Sequence, residues 1–451
     1  MTREELEKTH PDYDANIESW MFFMRSYFGG NMYRDGNYLL QHPFESSSNY
    51  RRRKDTAYFY NYCGPIVDIF VSHLLRKDAR RDYGSLTPDT LFNAFLLDSD
   101  MEGNSFRHFM REAQRFCSIY GRVSIIVDKP RIYASTRAEA EQFGIHPYVT
   151  LVTPENLLDW SYTRLSSGQT VLDMIKVREP GNAHRIWTRD GWELWRAGED
   201  GDAMLMDAGW HNLGEVPAVH LYNKRSGIRM TGISDIQDIA DINKNIYYLC
   251  SDAKEIIENT AFPMLAMPYS RGGAGGEKEV GPHNILQFDP AEPNARPYWL
   301  EAPHSSLSEI REWVRQDINE IYRIAKMGGV KASEDFQNVK SGVALELEYQ
   351  QLYSALSEKA DNLEQAERKV LELWARWEGT VFDGAIDYPD DFSVEDLERD
   401  LSNAIGAQSA AVASVTFKKE LQKKIASMVL PKLDKETMLL INAEIEKSVA
   451  L

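Results

Sequence analysis

The sequence predicts an α+β protein that is mostly helical, and three observations predict it. The first 130 residues, and most of the chain beyond 230, carry apolar side chains at helical spacing. Between Gly121 and Tyr222 the apolar period shortens to that of strands, with turn residues between short β-branched and aromatic runs. From Val343 to Glu378 there is neither proline nor glycine. That run is about 36 residues, or roughly 55 Å of helix at 1.5 Å per residue, longer than a compact small domain is wide.

The elements follow in order. Apolar residues cluster at 17–28, and helices are expected at 51–62, 65–77, 88–97 and 105–120. Pro65 suits a first helical turn. In 105–120 Phe106, Phe109, Ala113, Phe116 and Ile119 repeat as one face, as do Ile66, Ile69, Phe70, His73 and Leu74 in 65–77. Strands are expected at Arg122–Asp128, Tyr148–Val152, 173–179, 185–188 and Ala218–Tyr222, with hairpins between Trp187 and Trp210 around Arg-Asp-Gly and Glu-Asp-Gly turns. A long helix over 234–259 precedes a proline-rich and glycine-rich insert with brief strands near 284–288 and 296–300. Ser306-Leu-Ser-Glu309 has the spacing of a capping box and announces the next helix, which ends at Met327-Gly328-Gly329. A polar stretch, 330–340, leads into the long helix. Beyond Trp377 the chain breaks at Tyr388-Pro389 and returns to polar helices capped at Ser393, over 407–428, and from Asp434 onward.

With 451 residues, two or more domains are expected. Apolar content of 43% and aromatic content of 11% exclude a disordered chain. Against 69 acidic residues stand 51 basic ones, a formal charge of −18, which disfavours tight sequence-independent nucleic-acid binding. Cys63, Cys117 and Cys250 show no CxxC spacing and are expected as buried, reduced thiols. The first residues lack the apolar core of a signal peptide, and no apolar run is long enough to span a membrane. A cytoplasm-like setting is expected.

Signals for catalysis are weak. Asp98-Ser-Asp100-Met-Glu102-Gly103 imitates the start of a calcium loop, but Phe109 stands where the bidentate glutamate belongs. Residues 272–278 are glycine-rich and include Lys278 without the spacing of a phosphate-binding loop. The ten histidines never fall at metal-ligand spacing, and His73 reads as a core residue. A two-metal nuclease would need several acids converging on one cleft, and only Asp98, Asp100 and Glu102 are adjacent. Neither metal, cofactor nor enzymatic activity is expected. Asp235, Asp238 and Asp241, spaced by three, make an acidic strip at the start of their helix. It either complements the helix dipole as a solvated face or faces a channel shared with other subunits. Leu345, Tyr349, Leu352, Leu356, Leu363, Val370, Trp374 and Trp377 stripe the long helix as core or subunit contact, heptad-like over only part of its length.

The whole ordered set resembles the portal proteins of tailed bacteriophages. Phe95-Leu-Leu-Asp-Ser-Asp-Met-Glu-Gly-Asn-Ser-Phe-Arg-His-Phe109 and Pro147-Tyr-Val-Thr-Leu-Val-Thr-Pro-Glu-Asn-Leu-Leu-Asp-Trp160 are similar to wing segments of one portal group. Lys340-Ser-Gly-Val-Ala-Leu345 resembles the junction of tunnel loop and long helix, and 417–445 the usual ending. The resemblance implies a wing over 1–230, a stem helix over 231–262, a clip over 263–304 and a second stem helix over 305–327. It further implies a tunnel loop over 328–341, a long wing helix over 342–378 and a crown over 379–451. Also implied are a dodecameric ring at one capsid vertex and the passage of double-stranded DNA driven by a terminase motor. The expected contacts are the capsid protein and scaffold, with a head–tail adaptor at the clip, in a virion assembled in the host cytoplasm and without a membrane. The alternative is another oligomeric phage head protein lacking a DNA channel. Lys331, Gln337, Asn338 and Lys340 are the expected DNA contacts, offset by Glu334 and Asp335. Asp235, Asp238 and Asp241 are the expected channel lining. The long helix, with Glu346, Glu348, Glu358 and Lys359 off its stripe, is expected to share in the subunit contact.

Overall fold

The computed structural model describes residues 1–43, 45–130, 136–198, 201–261, 264–268, 286–288, 296–300, 305–327, 342–390, 392, 414–430 and 435–447. The chain divides into two compact units, Met1–Asp391 and Phe392–Leu451.

The first unit opens with short α1 (Arg3–Glu7), then α2 (Pro11–Phe28), whose Pro11 occupies the first turn behind a His10 cap. The His10 ring also stacks on Trp160 at 4.1 Å, tying the start of α2 to the β region. After α3 (Gly30–Asp35), α4 spans Ser47–Thr56, capped by Ser46, rather than the expected 51–62. Residues 57–61 are extended instead. Ala57 and Phe59 are buried while Tyr58 and Tyr60 are exposed, a period of two that suits aromatics better than a helix does. The buried amide of Asn243 holds this segment, donating to Tyr60 O at 2.8 Å and accepting from Tyr62 N at 3.0 Å. Next come α5 (Cys63–Leu74), β1 (Arg80–Asp82), α6 (Thr90–Leu97) and α7 (Phe106–Tyr120). Ser105 caps α7, and Asp89 caps α6 through two backbone N–H groups.

The strands of the described residues form four sheets. β2 (Arg122–Asp128) lies between β3 (Tyr148–Val152) and β9 (Ala218–Tyr222), antiparallel to both, with short α8 (Arg137–Phe143) between β2 and β3. Every residue of β2 is buried, so both faces of this sheet are covered. β4 (Leu157–Arg164), β5 (Thr170–Glu179), β6 (Ala183–Thr188), β7 (Gly191–Ala197) and β8 (Ala203–Trp210) form a five-stranded meander. The expected strands and hairpins are present; β4, which begins inside the phrase 147–160 and runs past it, is additional. Helix α9 (Gln237–Ala261) leads to a small sheet of β10 (Met264–Pro268), β11 (Leu286–Phe288) and β12 (Tyr298–Leu300), and α10 (Ser305–Ile324) follows. Because α10 already includes Ser305, Ser306 sits inside its first turn and not at a cap.

The long helix is present as α11 (Gly342–Trp377). Leu352, Leu356, Leu363, Val370 and Trp374 are fully buried, so the described part of the stripe is core packed on β9, β2 and α5, not a coiled-coil seam. After it, β13 (Ala385–Asp387) pairs antiparallel with β1. Residues 385–387, grouped with the crown on sequence, therefore belong to the first unit. In the second unit α12 (Val415–Val429), capped by Ser414, packs with α13 (Lys435–Lys447), where Lys419 and Lys423 both reach Glu446. The helix expected at Ser393 lies outside the described residues.

One core histidine has a measurable consequence. His220 on β9 is partly buried, its Nδ1 2.9 Å from Ser124 Oγ. Burial, reinforced by the charge of Arg122, pushes it down to about 3. Its folded value thus lies below an unfolded value near 6.5, so the stabilisation is present above about pH 6.5 and is lost as pH falls toward 3. Each pH unit in that window costs about 1.4 kcal/mol from this group. Desolvation pushes buried His184 and His211, and half-buried His73, down in the same sense. The melting temperature is expected to fall already between about pH 6.5 and 4.5, before most carboxylates titrate. His220→Gln should reduce that slope by about one proton; an unchanged slope would contradict the assignment.

Candidate functional site

Two long helices and the insert between them carry the first set of expected site residues. Helix α9 is about 37 Å long at 1.5 Å per residue, and it packs against α10. Ile236, Ile239, Ala240, Asn243, Ile246 and Tyr247 bury one side of the α9 segment, at helical spacing. Asp238 and Asp241 fall on the other side and are exposed, with Asp238 in the first turn where the helix dipole favours a negative charge. Asn245 Nδ2 reaches across to Asp317 Oδ2 on α10 at 2.7 Å. Farther out, Tyr298 and Trp299 on β12 and Trp313 on α10 are more than half exposed or close to it, large apolar surfaces set among polar ones.

Asp235 departs from the expected strip. It precedes α9 and turns inward, where Lys359 Nζ on α11 lies 2.6 and 2.5 Å from its two carboxylate oxygens. The lysine is itself buried, at 4% exposure, and also reaches Asn223 Oδ1. Asn223 Nδ2 donates to Asp235 Oδ1 at 2.8 Å and to Ile233 O at 3.0 Å. The backbone is fixed by the same node: Asp235 N donates to Ser118 O at 3.0 Å, and Ser234 Oγ to Ile119 O at 2.6 Å. Gly121 ends α7 with φ +86°, and a Cβ there would lie 2.5 Å from Gly232 O. A Cβ on Gly232 would lie 1.9 Å from Gly121 O, so only two glycines allow this approach. The head of α9 is thereby bolted to α7, β9 and α11 together. Two expectations are corrected: Asp235 is an internal counter-ion rather than a channel acid, and Lys359 is a core cation rather than a subunit contact.

Further along α11, Glu367 is fully buried and accepts from Arg81 Nε at 2.6 Å and Arg81 Nη2 at 3.1 Å, with the Tyr388 hydroxyl as a third donor. Trp374 Nε1 donates to Pro147 O at 3.2 Å and Trp377 Nε1 to Val127 O at 2.9 Å. Sequence reasoning missed Lys359 and Glu367 as core groups, although their spacing was visible. Lys359 sits three residues after Leu356 and Glu367 four after Leu363, both on the apolar stripe.

Lys331, Gln337, Asn338 and Lys340 lie outside the described residues, as do Glu334 and Asp335; the side chains of Glu346 and Glu348 are likewise outside them. In the turn at Asp98, the carboxylates accept from their own loop. Asp100 Oδ1 takes Glu102 N at 3.0 Å and Asp98 Oδ1 takes Gly103 N at 2.9 Å, which is the bonding of a capped turn. Among the described residues no group of three or more His, Cys, Asp or Glu is placed to hold a metal ion. No described helix is long and apolar enough to cross a membrane. Cys63 and Cys117 are buried, Cys250 is half-buried, and all three are unpaired thiols.

The family model for phage portal proteins of the SPP1 Gp6-like type matches residues 8–449. The chain belongs to that portal family. No curated protein matches it in sequence. Among solved structures, a chain in the virion of a native gene transfer agent particle is 13% identical, covering 80% of this chain and 89% of its own, with a TM-score of 0.42. A chain in the neck of the native gene transfer agent particle, computed with C12 symmetry, is 14% identical, covering 92% of this portal and 94% of its own length, with a TM-score of 0.41. As a portal protein, this chain has a structural, connector role. Of the expected channel acids, Asp238 and Asp241 are exposed on α9.

Proposed function

We propose that copies of this portal close into a ring, with twelve-fold symmetry, at one capsid vertex, and that double-stranded DNA enters and leaves through its bore. The family match from residue 8 to residue 449 carries this reading, because it spans every element from α2 to α13. In this reading 1–230 and 342–391 build the wing, α9 and α10 the stem, 263–304 the clip, 328–341 the tunnel loop and the second unit the crown. Asp238 and Asp241, exposed on α9, line the channel, while Lys331, Gln337, Asn338 and Lys340 include the closest DNA contacts. A wall of net negative charge suits a conduit, since each phosphate neutralised by a lysine or arginine releases counterions and adds adhesion. A net charge of −18 keeps contact with DNA loose.

A ring needs a heterologous contact whose rotation closes. The exposed apolar residues Met204, Leu205, Met206 and Trp210 on the edge strand β8 offer such a surface. The terminase large subunit and later the head–tail adaptor dock at the clip, and the capsid protein and scaffold meet the wing. Assembly takes place in the host cytoplasm and the product stays in the virion. Electron microscopy of the purified chain tests the reading. Rings with a central hole wide enough for duplex DNA are expected; monomers under all assembly conditions, or closed discs, would overturn it.

A further inference from the structure

In a chain this acidic, one cleft stands out for the opposite sign. Where the turn between α5 and β1 meets the first turns of α7, a cavity of about 210 Å³ is lined by Lys77, Arg81, Arg107, His108 and Arg111, with Asp78 the one lining acid. Arg81 is mostly buried and held in place by Glu367 and by the Tyr388 hydroxyl, 3.1 Å from Nη2, so its guanidinium is a fixed wall. Arg107 pairs with Asp78 through a single nitrogen. Arg111 is exposed and pairs with no acid among the described residues. Counting Glu367 behind the wall, the three arginines face two acids.

The helix geometry adds to the charge. Ser105 Oγ accepts from His108 N, and Ser105 O accepts from Phe109 N, which leaves the N–H groups of Phe106 and Arg107 without intrahelical acceptors at the positive end of a 15-residue helix. A compact cavity lined by cations beside a helix N-terminus matches a small, multiply charged oxyanion better than an extended acidic peptide, which would need a groove.

We infer that this cleft is a binding site for a phosphate group, supplied either by a nucleic-acid backbone or as a free phosphate anion. Arg111 and Arg107 provide its mobile cations, Arg81 its fixed one, and the N-terminal dipole of α7 adds to their field. The inference does not depend on ring closure. Electron microscopy of the same samples reads ring formation separately from binding.

The probes are pyrophosphate, followed by calorimetry, and a short fluorescent duplex, followed by anisotropy through a salt titration. Both are applied to the wild-type chain and to Arg111→Ala, an exposed substitution that leaves the core untouched. If the source is nucleic acid, Arg111→Ala weakens duplex binding about tenfold, lowers the salt slope by about one, and pyrophosphate competes with the duplex. If the source is free phosphate, pyrophosphate binding falls about tenfold and duplex binding is unchanged. Arg111→Lys restores part of either loss. Absence of binding by both probes, binding by Arg111→Ala equal to wild type, or occupation of the cleft by a polyglutamate peptide in preference to pyrophosphate would overturn the assignment.

Discussion

Lys359→Met is expected to destabilise the portal by about 3–5 kcal/mol, the usual cost of removing one partner from a buried ion pair. The substitution keeps the length of the side chain, so the loss is electrostatic. It strands the Asp235 carboxylate, whose side chain is only 11% exposed, beside Asn223. Replacing both charges, as Lys359→Met with Asp235→Leu, should recover most of the loss because no unpaired charge remains. Denaturant unfolding followed by tryptophan fluorescence measures both variants. If the double variant is no more stable than the single one, the pair is not the source of the effect. Since Asp235 immediately precedes α9, the single variant should also loosen the junction between that helix and α7. Faster amide exchange at Ile236 and Ile239 would report it.

Trp374→Ala is expected to cost a similar amount, about 3–5 kcal/mol, by a different route. Trp374 is fully buried, with ring centroids 4.9 Å from Phe92 and 5.8 Å from Phe95, and its Nε1 donates to Pro147 O. Truncation leaves a cavity between α11 and α6 and also orphans a carbonyl. Trp374→Phe keeps most of the packing and loses only the donor, so its cost should fall to about 1–2 kcal/mol. Equal costs for the two variants would show that the hydrogen bond, and not the packing, dominates.

These two residues also show what could be read from sequence and what could not. Trp374 was legible as core because it continues the stripe set by Leu356, Leu363 and Val370. Lys359 was assigned to the outside because lysine is seldom buried, although it occupies the same face. The partner that permits its burial, Asp235, is 124 residues away in sequence, and no local pattern connects them. Periodicity located most helices and strands, including the long helix and the strands β2, β3 and β9. It failed at 57–61, where aromatic residues in a helical neighbourhood adopt the extended form because Asn243 satisfies their backbone. It also failed at β1 and β13, three-residue strands whose pairing brings together segments about 300 residues apart and cannot be signalled by either alone. Of the expected channel acids, Asp238 and Asp241 kept an exposed position, and Asp235 did not because of the lysine opposite.

The same long-range pairing constrains how the molecule is made. The first sheet and helices emerge from the ribosome with β9, but the helix that covers them is synthesised only after α10. Translation from the end of β9 to the end of that helix, roughly 150 residues, takes on the order of 8–30 s at the usual 5–20 residues per second. Throughout that interval the nascent chain holds an open apolar trough over β2 and β9 and an unmatched Arg81, a natural client for a chaperone. A fragment ending at 230 would remain in that condition permanently.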